Sequence, residues 1–93
     1  MILNFGDKET LKIWHGDFSY KLPVEIQAKA RRKLRMIHSS QSLIDLSIPP
    51  SNRLEKLKGV LSSFYSIRIN NQWRIIFKWI NNNAEEVSIT DYH

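Results

Sequence analysis

Between residues 63 and 90 the apolar side chains of this chain recur at every second position. Tyr65, Ile67 and Ile69 stand on one side of a first run, with Phe64, Ser66 and Arg68 on the other. In a second run Trp73, Ile75, Phe77 and Trp79 alternate with Arg74, Ile76, Lys78 and Ile80. In a third, Val87 and Ile89 alternate with Glu86, Ser88 and Thr90. A period of two is the signature of half-buried strands. Asn70-Asn71-Gln72 and Asn81-Asn82-Asn83 separate the runs and suit tight turns. Short links between alternating strands predict an antiparallel meander with one buried face. That face needs a cover, which upstream helices must supply.

Asp7 is placed to cap a short helix over residues 8–15, with Leu11 and Trp14 facing inward. His15-Gly16-Asp17 ends it. Pro23 suits the first position of a longer helix and Glu25 its first turn. Ile26, Ala30, Leu34 and Ile37 form an apolar stripe, and Lys29, Arg32, Lys33 and Arg35 are read as lying off it. The helix should end near residues 38–40. Leu43, Ile44, Leu46 and Ile48 are expected to anchor a looser segment. Pro49-Pro50 excludes a helix or a central strand there. A short strand holding Leu54 and Leu57 should stop near Gly59, and Met1 to Phe5 reads as an edge strand. The expected fold is α+β: two N-terminal helices packed on a small antiparallel β-sheet, one domain over residues 1–93.

Ninety-three residues make a small domain with a modest core. The absence of cysteine excludes disulfides, zinc–thiolate sites and cysteine nucleophiles. The first residues lack the basic and apolar regions of a signal peptide, and no apolar run approaches the roughly 18 residues of a membrane span. A soluble, cytoplasmic protein is expected. The net charge of +5 is unevenly spread: residues 29–58 carry eight basic side chains against two acidic ones. A localised positive patch suits nucleic acid or an acidic protein partner, and equally a solvated helix face.

If Ile69 pairs with Trp73 across the first turn, Arg68 falls opposite Arg74, both pointing away from the apolar face. Like charges in register destabilise a sheet. An anion between them removes the conflict, and the guanidinium fork matches phosphate oxygens. The alternative is a pair of surface arginines matched with Glu55, Glu85 or Glu86. The chain stops on Asp91-Tyr92-His93, where histidine exchanges protons near neutral pH and tyrosine donates to phosphate or stacks on a base. RNA carries its own nucleophile, the 2′-hydroxyl. An enzyme must help remove that proton, stabilise charge at phosphorus and protonate the leaving oxygen. Arg68, Arg74 and Lys58 suit the second task, and His93, Tyr92 or Glu55 the others. His15 and His38 read as structural or solvent-facing. No carboxylate–histidine spacing suggests a metal site, and no glycine-rich phosphate loop is present.

The strings Pro49-Pro50-Ser-Asn-Arg53-Leu-Glu55-Lys-Leu57-Lys-Gly59, Tyr65-Ser-Ile-Arg-Ile-Asn-Asn-Gln-Trp-Arg-Ile75 and Val87-Ser-Ile-Thr-Asp-Tyr-His93 resemble the HigB toxins of the RelE/ParE superfamily. The resemblance covers nearly the whole chain. It implies a RelE/ParE-like fold and an endoribonuclease, or mRNA interferase, that cuts messenger RNA in the ribosomal (30S) A site with no metal and no cofactor. It implies neutralisation by a HigA-type helix-turn-helix antitoxin, with operator DNA bound only through the complex of the two. Carried over residue by residue, catalysis falls on Arg68, Arg74, Tyr92 and His93, with Lys58, Glu55 and Asp91 in support. Lys56, Arg53 and Lys78 are expected to contact RNA. Some members of the family carry histidine where this chain has Glu55. Parity along the last strand puts Asp91 on the core side and Tyr92 with the arginines. Trp73 and Trp79 read as core, and the basic helix as a surface for ribosomal RNA or the antitoxin. ParE relatives share the fold but poison DNA gyrase, so a non-nucleolytic gyrase inhibitor is the alternative. A non-catalytic RNA-binding regulator is the third.

Overall fold

The computed structural model describes residues 1–91. The expected meander is present and has four strands: β1 (Glu55–Lys56), β2 (Phe64–Arg68), β3 (Trp73–Ile80) and β4 (Asn83–Asp91), antiparallel in the order β1-β2-β3-β4. Helices α1 (Lys8–Trp14) and α2 (Val24–Ser39) precede them. Ile67, Ile75, Phe77, Val87 and Ile89 form the buried face of the sheet, and the α2 stripe of Ile26, Ala30, Leu34 and Ile37 belongs to the same core. Trp73 and Trp79 pack at its margin. No helix among the described residues is long and apolar enough to cross a membrane.

The β3–β4 hairpin pairs Ile80 with Asn83, leaving Asn81 and Asn82 as a two-residue turn at φ 52° and 62°. Asparagine tolerates that left-handed backbone better than most residues. A register shift between Ile76 and Lys78 marks a bulge, with Glu86 at φ 52° on the facing strand. At the outer edge of β4 the first residues run parallel to it, with bridges from Ile2 to Ala84 and from Phe5 to Val87. Gly6 permits this approach: a Cβ there would sit 2.2 Å from Ser88 Oγ.

Several local expectations need correction. In α1 the buried residues are Thr10 and Ile13, while Leu11 is exposed. Asp7 does cap the helix, accepting from the Thr10 N–H at 2.7 Å. The Thr10 hydroxyl donates to Asp7 (3.0 Å) and accepts from the Ile89 N–H (2.8 Å), fastening α1 to β4. Pro23 is the residue before α2 rather than its first. Lys33 is buried. It stands three residues after Ala30 and four before Ile37, so helical geometry puts it on the stripe. Leu43–Ser47 forms a 3-10 turn in which Leu46 is buried and Ile44 exposed, as is Ile48 just beyond it. With three residues per turn, positions 43 and 46 align and position 44 does not. The strand near Gly59 is only Glu55–Lys56, with Leu54 and Leu57 flanking it.

Candidate functional site

The β2–β3 turn fixes the register of the site. Asn70 Oδ1 accepts from the Gln72 and Trp73 N–H groups at 2.8 and 2.7 Å. The backbone N–H groups of Ile69 and Asn70 both donate to the Trp73 carbonyl. Ile69 therefore meets Trp73, and Arg68 and Arg74 are cross-strand partners. Alternation turns both away from Ile67 and Ile75, onto the face that also carries Ser66, Ile76, Ser88 and Thr90.

The two arginines are held differently. Arg74 is 7% exposed. Its Nε donates to Ser66 Oγ at 2.9 Å and its Nη2 to the Arg53 carbonyl at 2.7 Å. The Glu55 carboxylate lies 3.7 Å from Nη2. A guanidinium this far from water needs such partners. They set its orientation before any ligand arrives. Arg68 is half-buried and donates through Nη2 to Asn71 Oδ1. Glu55 sits on β1 opposite Ser66, with its side chain 47% exposed, so the long ion pair to Arg74 adds little stability.

The segment before β1 delivers the carbonyl. Pro50–Asn52 forms a 3-10 turn, and Arg53 follows in a left-handed conformation at φ 46°, ψ 53°. The Arg53 side chain is exposed. The Asn52 side chain is fully buried, donating to the Leu46 carbonyl at 3.0 Å and to Met36 Sδ at 3.1 Å, and accepting from Lys33. Lys58 is exposed just before the 3-10 turn Gly59–Leu61. With Glu55, Lys56, Leu57 and Leu61 it lines an open cleft of about 440 Å³.

Three of the sequence-predicted residues stand apart from this cluster. Lys56 lies over the Tyr65 ring, 5.5 Å from its centroid. Lys78 shares the Arg74 face but sits four residues further along β3, roughly 13 Å away at strand rise. It pairs with Glu86 at 2.7 Å and lies over the Phe64 ring. Asp91 is opposite Trp73, not Arg74, and its Oδ2 accepts from Gln72 Nε2 at 3.1 Å. That is the side parity assigned to it. Tyr92 and His93 lie outside the described residues. His38 Nδ1 accepts the Ile2 N–H at 3.1 Å, a structural use, and His15 follows the last turn of α1. Among the described residues no three His, Asp or Glu side chains converge as a metal site would need.

Sequence reasoning did not identify Ser66, the Arg53 carbonyl, Asn52 or Lys33 as parts of this arrangement. Ser66 had a faint signal, being two residues before Arg68 on the same face. A backbone carbonyl has none.

Over residues 3–93 the chain matches the family described as RelE-like toxin of type II toxin–antitoxin system HigB. It is 40% identical over 82 residues to Toxin HigB-1 of Vibrio cholerae serotype O1, spanning 87% of this chain and 86% of that one. It is 26% identical over 93 residues to Endoribonuclease HigB of Proteus vulgaris, spanning 100% of each. Among solved structures it superposes on a chain of the YoeB–YefM complex from Staphylococcus aureus with a TM-score of 0.62 at 20% identity. That match covers 100% of this chain and 98% of the other. At that identity the likeness concerns the fold.

Proposed function

The chain belongs to the RelE-like HigB toxins of type II toxin–antitoxin systems, and from that premise we propose that it is a metal-independent endoribonuclease that cuts messenger RNA. The observation that carries this reading is the pair Arg68 and Arg74, in register on one face, with Arg74 clasped by Ser66, Arg53 and Glu55. The name of the Proteus vulgaris relative points the same way.

In this reading a scissile phosphodiester lies across Arg68 and Arg74. The 2′-hydroxyl attacks phosphorus and gives up its proton, and the 5′-oxygen of the next nucleotide leaves with a proton. A 2′,3′-cyclic phosphate and a free 5′-hydroxyl result. The two guanidiniums and Lys58 stabilise the negative charge that grows on the phosphoryl oxygens. Glu55, beside Arg74 and half-exposed, is assigned the 2′-proton in this reading. Tyr92 and His93 are assigned, from sequence, to positioning and to protonation of the leaving oxygen. Arg53, Lys56 and Lys78 contribute longer-range attraction for the RNA backbone, and Asp91 steadies the end of β4 through Gln72. The working site is the ribosomal A site in the cytoplasm. The neutralising partner is a HigA-type antitoxin, through which operator DNA is bound.

Primer extension on cellular transcripts, made soon after induction, tests this. Breaks inside translated frames are expected with the wild-type chain and not with the Arg68→Ala/Arg74→Ala double variant. Intact transcripts in growth-arrested cells, with an induced DNA-damage response, would replace the nuclease by a gyrase inhibitor.

A further inference from the structure

We propose that Lys33 and Asn52 are positioning residues for Arg74, holding the Arg53 carbonyl where it orients the Arg74 guanidinium for RNA cleavage. The inference rests on the site reading above and assigns a task to a helix that reading leaves aside.

The chain of contacts runs from the core outward. Lys33 is buried on α2, and its ammonium donates to Asn52 Oδ1. Asn52 is also tied through Nδ2 to the Leu46 carbonyl at 3.0 Å and to Met36 Sδ at 3.1 Å. With both ends of its amide engaged, Asn52 has no freedom to shift alone. The next residue, Arg53, is a non-glycine residue in the left-handed region. Such a conformation persists where its surroundings over-determine it. Its carbonyl then accepts from Arg74 Nη2 at 2.7 Å.

Stability alone does not account for Lys33. An ammonium buried against a neutral amide carries a desolvation penalty, and methionine would fill a similar volume without it. Burial holds the Lys33 pKa below its ordinary value, with Lys29 and Arg32 adding to the effect. What the lysine does supply is a directed donor on a rigid helix, aimed at the residue before Arg53. Without that anchor the Arg53 carbonyl is free to withdraw. Arg74 Nη2 would then close the 3.7 Å gap to Glu55 and turn from the phosphate.

The test compares the full-length wild-type chain with Arg74→Ala and Lys33→Met on ribosomes programmed with a short messenger. It measures single-turnover cleavage at saturating protein, the half-saturating concentration, and the ¹⁵N–¹H resonance of Arg74 Nε–H. Arg74→Ala should lose cleavage. Lys33→Met should fold, cleave about tenfold more slowly with half-saturation unchanged within about twofold, and show a displaced Arg74 resonance. A merely structural role would leave that resonance in place. Lys33→Met with wild-type cleavage, or slowed without the displacement, overturns the proposal while the site reading stands. Arg74→Ala with wild-type cleavage overturns both. If Lys33→Met does not fold, Asn52→Ala serves, since it removes both the acceptor for Lys33 and the donor to Leu46. The same signature is expected from it, and a wild-type rate and resonance would sink the idea.

Discussion

Ser66 Oγ and the Arg53 carbonyl turn one arginine into a fixed reagent. Both are neutral acceptors, so they orient the guanidinium without cancelling its charge. Arg74→Ala leaves the buried Ser66 hydroxyl and the Arg53 carbonyl without this donor and should cost about 1–3 kcal/mol of stability. A melting curve must accompany the activity loss, which should be complete even where the fold persists. Lys33 gives a pH signature. Its folded-state pKa is lowered by burial from the ordinary 10.5. The unfolded chain therefore binds more protons between the lowered value and 10.5, and stability rises with pH across that window. Lys33→Met should flatten this rise, read as urea midpoints against pH, and an unchanged slope would show that Lys33 is not desolvated. Gly6 makes a third point. Gly6→Ala would set a Cβ 2.2 Å from Ser88 Oγ and 3.2 Å from the Glu86 carbonyl, at an expected cost of about 1–3 kcal/mol in chemical denaturation.

Helix α1 has seven residues, too few to persist on propensity. Its survival depends on the Asp7 cap and on Thr10, which bonds both the cap and the Ile89 N–H of β4. Thr10→Val keeps the shape, strips both bonds and leaves a buried strand N–H without a partner. The expected cost is about 2–3 kcal/mol, and hydrogen exchange at Ile89 should accelerate if this pin is real. The amphipathic reading of α1 chose Leu11 because leucine is apolar, whereas tertiary contact selected the hydroxyl of Thr10. The strands were read more faithfully. A period of two leaves two choices of face, and tryptophan, isoleucine and phenylalanine on one parity decide between them. β1 was harder, because two residues define no period.

At the scale of the molecule, the site draws on the β1 edge, β2, β3 and the turn that α2 supports. The turn, β1, β2 and β3 follow one another along the chain, and α2 stands further upstream. The basic excess of residues 29–58 brings Arg53, Lys56 and Lys58 to the β1 edge, while Lys29, Arg32 and Arg35 remain exposed on α2. RNA binding should therefore be strongly salt-dependent. If three to four phosphates are neutralised, a fourfold rise in salt should weaken binding to single-stranded RNA by about 20- to 50-fold. An affinity that does not respond to salt would remove the basic face from the RNA-binding surface.

The local pattern was enough to determine the meander, the β2–β3 register and hence the pairing of Arg68 with Arg74. Each depends on residues a few positions apart: alternation, a turn asparagine and parity. Parity likewise put Asp91 on the Trp73 side. Tertiary structure decided which arginine is buried, what holds it and what Lys33 meets inside. Those contacts join residues 19 and 21 positions apart, Lys33 to Asn52 and Arg53 to Arg74. One acceptor is a backbone carbonyl, which every residue possesses. Where an interaction is made by a group common to all residues, its use depends on the path of the chain in space, and no residue type announces it.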